Sequence, residues 1–125
     1  MKKEIATTKA PAALGPYSQA IEANGMLFVS GQIPIVPATG ALVEGDIKAQ
    51  TRQSMENIAA ILAEAGYTFD NVVKTTCLLA DINDFAAFNQ VYGEYFGTAA
   101  PARATFAVKA LPKGALVEVE AIAAK

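Results

Sequence analysis

The dipeptide Asn24-Gly25 is the feature that most restricts how this chain can fold. It separates the runs 18–23 and 26–30, which are rich in apolar residues. Asn-Gly readily adopts the positive φ angles of a tight I′ turn, so the two runs are predicted to pair as an antiparallel hairpin. Residues 2–8 are predicted to form an edge strand before it. Prolines and glycines after Gly31 indicate an irregular loop.

A first helix is predicted between Asp46, which can cap its start, and Gly66, which suits its C-terminal stop. Its apolar residues recur at helical spacing: Met55, Ile58, Leu62 and Ala65.

A second helix is predicted to begin at Asn83 or Asp84 and to end at Gly97. Its apolar stripe consists of four aromatic residues: Phe85, Phe88, Tyr92 and Tyr95. We interpret these aromatic residues as part of the core and not as a cofactor site.

Three further strands are predicted at residues 71–80, 103–110 and 116–123, from their β-branched and alternating apolar residues. The element order is then βββαβαββ. This order predicts an α+β fold in which two helices cover one face of a mostly antiparallel sheet. The length of 125 residues suits one domain, residues 1–125.

The last two strands are predicted to form a hairpin whose apolar side faces the helices. That side would contain Ala104, Phe106, Val108, Val117, Val119 and Ala121. Arg103, Thr105, Glu118 and Glu120 would then lie on the face without helices. One interpretation is a solvated face with weak surface ion pairs. The other is a cleft against a second subunit, where an arginine binds a carboxylate and a glutamate orients or deprotonates water.

The composition excludes several chemistries. The chain has no histidine, which removes the commonest general base, the usual metal ligand and the middle member of a Ser-His-Asp triad. Its single cysteine, Cys77, has no internal disulfide partner and is predicted to be a buried, inert thiol. The net charge of −2 disfavours nucleic-acid binding.

The amino-acid composition also bears on subunit contacts and cellular location. Hydrophobic residues make up 53% and charged residues 18%, so we expect some apolar surface to contact another subunit. No run of about 20 apolar residues and no signal-peptide pattern is present, which favours a cytoplasmic protein without a membrane segment.

Five segments, in order, resemble the Rid (YjgF) family across nearly the whole chain. They are Gly15-Pro16-Tyr17-Ser18-Gln19-Ala20, Ser30-Gly31-Gln32-Ile33-Pro34, Asn83-Asp84-Phe85 with Asn89, Pro101-Ala102-Arg103, and Leu111-Pro112 followed by residues 117–122. Each segment is weak alone, but their order and separations make the pattern specific.

The resemblance implies a chorismate-mutase-like subunit in a homotrimer, with ligand sites between subunits. It implies a cofactor-free deaminase that hydrolyses 2-iminobutanoate and 2-iminopropanoate to 2-keto acids and ammonia. Pyridoxal-phosphate-dependent dehydratases would act upstream and release the enamines from which these imines form.

The resemblance also assigns residue roles. Arg103 would clamp the substrate carboxylate, Glu118 would position the attacking water, and Tyr17 would contribute a hydroxyl. The pocket wall would be formed by Ser30, Gly31 and Asn89. Without the resemblance, Tyr17 would be interpreted as a turn anchor, Gly31 as a bulge or strand exit, and Asn89 as an exposed helix residue.

Thr105 departs from the family pattern, because Rid enzymes often have cysteine two positions after the arginine. Threonine still offers its backbone groups and a hydroxyl to a substrate, but no thiol.

Three other functions compete with imine hydrolysis. A non-catalytic protein that binds small carboxylates as a regulatory signal would use the same residues, and the sequence does not separate binding from turnover. Ribonuclease or translation-inhibitor activity, which is attributed to some members of the family, is disfavoured by the acidic charge and the absence of histidine. Chorismate mutase activity rests on fold alone, which is poor support for a function.

Overall fold

The protein consists of a six-stranded sheet with two helices, and the computed structural model describes residues 1–125. The strands are β1 (Lys3–Ile5), β2 (Ala20–Ala23), β3 (Met26–Gln32), β4 (Val72–Leu79), β5 (Ala102–Ala107) and β6 (Val117–Ala124). The helices are α1 (Ile47–Ala65) and α2 (Phe85–Tyr92). The predicted order βββαβαββ is confirmed.

The hairpin predicted around Asn24-Gly25 is present. Both residues have positive φ angles, 53° and 76°, and Ala23 lies opposite Met26 across the turn. The first strand is shorter than predicted, since β1 pairs with β2 only over Lys3–Ile5.

Helix α1 begins and ends where its capping residues predict. The Asp46 carboxylate accepts a hydrogen bond from the backbone N–H of Ala49 at 3.1 Å. At the other end Gly66 adopts a left-handed conformation with φ of 81° and donates its N–H to the last carbonyls of the helix.

Helix α2 is shorter than predicted, because it ends at Tyr92 and not at Gly97. The chain tightens into a 3₁₀ turn, Gly93–Tyr95, directly after it. Asp84 occupies the N-cap position without a side-chain hydrogen bond. Asp81 caps the preceding 3₁₀ turn instead, accepting from the Asn83 N–H at 2.9 Å.

The sheet order is β1-β2-β3-β6-β4-β5, and every pair is antiparallel except β4 with β5. Helix α2 returns the chain so that β5 lies parallel to β4, as crossover connections do. The predicted hairpin of the last two strands is therefore wrong, since β4 separates β5 from β6.

Both helices cover one face of the sheet, as predicted. A core cluster of 20 buried residues lies between helices and sheet. Cys77 of β4 belongs to it and is fully buried, as predicted, and burial raises the pKa of its thiol. Neither helix combines the length and apolarity that a membrane-spanning helix needs.

The other face of the sheet, called the open face below, has no helix on it. Phe28 of β3 is 44% exposed there, opposite Ile122 of β6. Phe106 of β5 is 47% exposed, opposite Leu78 of β4. The open face therefore presents large apolar side chains to solvent in one copy of the chain.

Candidate functional site

The strand register places Arg103 on the face of the sheet that the helices cover. Arg103 lies opposite Thr75 and Thr105 lies opposite Cys77. Cys77 also lies opposite Val119, which is fully buried. Opposed residues on neighbouring strands project to the same side, so Arg103 and Thr105 share the helix side with Val119.

Glu118 and Glu120 lie on the open face, opposite Leu78 and Thr76. The prediction that Arg103 and Thr105 share a face with these glutamates is wrong. It assumed that Phe106 is buried against the helices, but Phe106 points to the open face. Side chains alternate along a strand, so reversing Phe106 reverses Arg103 as well.

Arg103 lines a cavity of about 580 Å³ beside α2, called the arginine cavity below. Its lining residues are Asn89, Tyr92, Gly93, Phe96, Gly97, Ala100, Pro101 and Arg103. Nη1 of Arg103 donates a hydrogen bond to Oδ1 of Asn89 at 2.8 Å. The structure thus brings together two of the predicted site residues, Arg103 and Asn89.

The guanidinium of Arg103 has no carboxylate partner. The only ion pair in the chain joins Arg52 to Glu94 at 3.1 Å, on the surface. Three aromatic rings surround Arg103 instead, and its Cζ lies 5.0 Å from the ring centre of Tyr92, 5.4 Å from that of Phe85 and 6.0 Å from that of Phe88. A half-buried cation without a counter-ion is a candidate anion site.

Thr105 lies beside Arg103 but lines neither this cavity nor the one described next. Its hydroxyl oxygen is closed to solvent and has no hydrogen-bond partner. The predicted contact between Thr105 and a substrate gains no support from the single protomer.

A second cavity, of about 410 Å³, contains Glu118 and is called the glutamate cavity below. Four predicted site residues line it: Tyr17, Ser30, Gly31 and Glu118. They come from the loop before β2, from β3 and from β6. The remaining lining residues are Pro11, Ala12, Leu14, Gln19, Gln32, Ile33, Ile35, Pro112 and Lys113.

Gly31 makes room for the Glu118 carboxyl group. It lies where the register of β3 with β6 shifts between Val29 and Gln32. A Cβ on Gly31 would lie 2.9 Å from Cδ of Glu118 and would collide with Oε2. The glycine is therefore required by the close approach of a side chain, with no positive φ angle involved.

The pKa of Glu118 is raised above the ordinary glutamate value. Burial is the main cause, because it disfavours the charged carboxylate. The negative charge of the nearby Glu120 raises the pKa further. A carboxylate of higher pKa is a better proton acceptor, which suits a general base.

The loop that carries Tyr17 is held by the buried side chain of Gln19. Its Oε1 accepts from the Thr7 N–H at 2.7 Å, and its Nε2 donates to the carbonyls of Thr7, Ala10 and Pro11 at 3.0, 3.3 and 2.8 Å. Tyr17 itself is 53% exposed. Gln19 is a site residue without a predicted role, although it lies in the Gly15–Ala20 segment that resembles the Rid family.

Ser30 is also committed to this loop, because its hydroxyl donates to the Ser18 carbonyl at 2.6 Å. The predicted site residues therefore fall into two groups on opposite faces of one protomer. Arg103 and Glu118 are not brought together within a single chain. No three His, Cys, Asp or Glu side chains cluster in a metal-ligating arrangement.

Comparison with known proteins identifies the family. The family model described as Endoribonuclease L-PSP matches residues 7–125. The 2-iminobutanoate/2-iminopropanoate deaminase of Mus musculus is 50% identical over 123 residues, covering 98% of this chain and 91% of the mouse protein. The structure of YyfA from Yersinia pestis, a Rid family protein of unknown function, covers both chains fully at 56% identity and a TM-score of 0.97.

A third comparison includes a ligand. The structure of E. coli TdcF with bound serine aligns over 98% of each chain at 41% identity, with a TM-score of 0.94. The chain therefore belongs to the Rid (YjgF) family, and the resemblance found in its sequence is confirmed.

Proposed function

We propose that this protein is an imine deaminase that hydrolyses small 2-imino acids, such as 2-iminobutanoate and 2-iminopropanoate, to 2-keto acids and ammonia. One observation carries the proposal. The same chain has a half-buried arginine without a carboxylate partner and a half-buried glutamate without a cationic partner, each lining its own cavity. The deaminase name of the mouse relative supports this activity.

The two cavities become one site when a second copy of the chain is added. We propose a homotrimer in which the arginine cavity of one subunit faces the glutamate cavity of its neighbour. The exposed Phe28 and Phe106 on the open face support association, since such apolar surface is usually covered in soluble proteins. A cation and a carboxylate supplied by different subunits would then lie on either side of one substrate.

The chemistry requires little beyond positioning. Arg103 binds the substrate carboxylate with two parallel hydrogen bonds, which fixes the imine carbon. The oxygen of a water molecule then bonds to the imine carbon while Glu118 accepts a proton from that water, and the product is a carbinolamine. Glu118 returns that proton to the nitrogen of the carbinolamine. The C–N bond then breaks as the carbinolamine hydroxyl gives its own proton to Glu118, which releases ammonia and the 2-keto acid.

The remaining residues shape the space around the reacting atoms. Tyr17 presents its hydroxyl at the edge of the glutamate cavity, and Ser30, Gly31 and Asn89 form the wall. Thr105 supports the strand beside Arg103 and contributes its backbone there. A protonated imine is already electrophilic, so the reaction needs no cofactor.

The substrate class also indicates what must act before this enzyme. Reactive 2-imino acids form when pyridoxal-phosphate-dependent dehydratases release enamines that tautomerise. The serine-bound structure of TdcF supports a ligand of amino-acid size with a carboxylate.

Replacement of Arg103 tests the proposal. Arg103→Ala is expected to lower kcat/KM for freshly generated 2-iminobutanoate by about 100-fold, because the carboxylate loses a charged, bidentate partner. Arg52 is the only other arginine in the chain, and it pairs with Glu94 on the surface. Arg52→Ala is the matched control and should retain the wild-type rate.

Two results would contradict the proposal. One is a wild-type rate in a folded, assembled Arg103→Ala variant. The other is a wild-type protein that binds 2-ketobutanoate but does not accelerate imine loss, which would favour the non-catalytic carboxylate-binding function.

A further inference from the structure

Arg103 is held in place entirely by uncharged groups. Asn89 accepts one hydrogen bond from Nη1, and the rings of Phe85, Phe88 and Tyr92 surround the guanidinium at 5.0–6.0 Å. We call these three rings the aromatic cage. Rings attract a cation through their quadrupole but do not neutralise it.

The cage is rigid because two of its rings belong to the core. Phe88 is fully buried, and Tyr92 is 5% exposed. The Tyr92 hydroxyl shares a buried 2.7 Å hydrogen bond with the Thr75 hydroxyl, one strand away from Arg103. Only Phe85 lies at the surface, 37% exposed.

The other arginine shows the alternative arrangement. Arg52 directs Nη2 to both carboxylate oxygens of Glu94, at 3.1 and 3.2 Å, so its charge is compensated within the protein. Arg103 has five N–H donors, and Asn89 is their only side-chain acceptor in the chain. The other N–H donors of the Arg103 guanidinium are therefore available to a ligand.

We propose that the aromatic cage and Asn89 are positioning residues that replace a counter-ion at Arg103. They fix the guanidinium by cation–π contact and one neutral hydrogen bond, and they leave its positive charge uncompensated for an incoming carboxylate. The choice of ligand rests on the proposed function. The assignment of these residues rests on the contacts within this chain.

Asn89→Asp is the sharpest test, because it changes a neutral acceptor into a carboxylate of the same shape. The aspartate would pair with Arg103 and compete with the ligand. We expect the Kd of 2-ketobutanoate, measured by titration calorimetry, to rise at least tenfold, while Tm is unchanged or higher. Loss of binding without loss of stability separates this role from a structural one.

Asn83→Asp is the matched control for charge. Asn83 is exposed in the turn before α2, so this variant adds the same negative charge near the helix without reaching the guanidinium. Its Kd should equal that of the wild type.

Phe85→Leu tests the cage where the fold tolerates change, because this ring is partly exposed. We expect the Kd to rise about three- to tenfold, the range that loss of a cation–π contact predicts. Tyr92→Leu should have a similar effect, whereas Tyr92→Phe, which keeps the ring and loses only the hydroxyl, should raise the Kd less than Tyr92→Leu does.

Tyr67 provides the control for loss of a buried tyrosine. It is 2% exposed, its hydroxyl donates to Glu22 at 2.9 Å, and Nζ of Lys125 lies 4.6 Å from its ring centre. Tyr67→Leu therefore removes a comparable ring distant from Arg103. It should lower Tm but leave the Kd unchanged.

The outcomes distinguish this inference from the proposed function. If Asn89→Asp and Phe85→Leu bind 2-ketobutanoate like the wild type while Arg103→Ala does not, the cage has no positioning role and the inference is overturned. If Arg103→Ala also binds normally, the anchor of the proposed function has failed as well.

Discussion

The arginine cavity and the glutamate cavity differ in how each holds its charged group. Arg103 projects among aromatic rings on the helix side of the sheet and is fixed by packing. Glu118 projects on the open face into space left by Gly31, where partial burial and Glu120 raise its pKa. Arg103 therefore has no negatively charged partner in the protomer, whereas the Glu118 carboxylate is made more basic.

This difference shows that the protomer places the two charged groups on opposite faces of its sheet. A sheet separates the cation from the base, so a substrate in one cavity does not reach the other in the same chain. The arginine cavity contains the cation but no carboxylate, and the glutamate cavity contains the Glu118 carboxylate but not the arginine. Under the proposed function, catalysis therefore requires two copies of the chain, and the following experiments test that requirement.

Mixing two inactive variants should give the largest effect. Arg103→Ala and Glu118→Gln should each be nearly inactive alone. When the two chains are co-expressed with different affinity tags, mixed trimers should regain about a third of the wild-type activity, because one of the three sites in each mixed trimer combines an intact arginine and an intact glutamate. The measurement is imine hydrolysis by trimers that carry both tags. No recovery in such trimers would mean that both groups act within one chain.

Gly31→Ala should affect only the glutamate cavity. The added methyl group displaces the Glu118 carboxyl group, so we expect kcat to fall by about tenfold or more, whereas 2-ketobutanoate still binds to Arg103. Steady-state kinetics and calorimetry measure the two quantities. Gly40→Ala is the control, because it strains a turn with φ of 73° away from both cavities. Equal losses of kcat in both variants would contradict a specific role for Gly31.

Glu120→Gln should change the pH dependence without changing the maximum rate. The raised pKa of Glu118 means that activity is lost as the pH falls through that value, since the base becomes protonated. Removing the Glu120 charge removes one of the two causes, so the acid limb of kcat/KM should move to lower pH. Glu44→Gln, an exposed change elsewhere, should leave the profile unmoved. An unshifted profile in Glu120→Gln would show that Glu118 does not limit the rate at low pH.

Asp46→Ala should give the smallest functional effect. It removes the N-cap of α1, which costs about 1 kcal/mol of stability and roughly 4 °C in Tm. Neither cavity contains Asp46, so kcat/KM should stay at the wild-type value. A reduced rate in the folded variant would show that the N-terminus of α1 affects the geometry of one of the two cavities.

The elements of the fold were predictable where the signals are local. Asn24-Gly25 specifies its own turn, and Asp46 and Gly66 specify the ends of α1, because each acts on backbone groups a few residues away. Helix α2 ends earlier than predicted, since aromatic spacing continues through the 3₁₀ turn to Tyr95.

The faces of β5 were not predictable in the same way. The apolar character of Phe106 predicts a core position, but the residue lies on the open face that association would cover. A sequence shows that a residue is apolar but not which surface buries it, and one wrong assignment reverses a whole strand. Two partners of Arg103 were easier to predict as neighbours of each other, because Phe85 and Asn89 are four residues apart and therefore share one face of α2.

The exposed phenylalanines on the open face have a consequence for any measurement on this protein. If subunit association completes the site, the concentration of working sites follows mass action and not simply the amount of chain present. Dilution would then reduce the specific rate per milligram even though every molecule stays folded. Under the proposed function, the rate of imine hydrolysis would therefore rise more steeply than in proportion to the concentration of the protein.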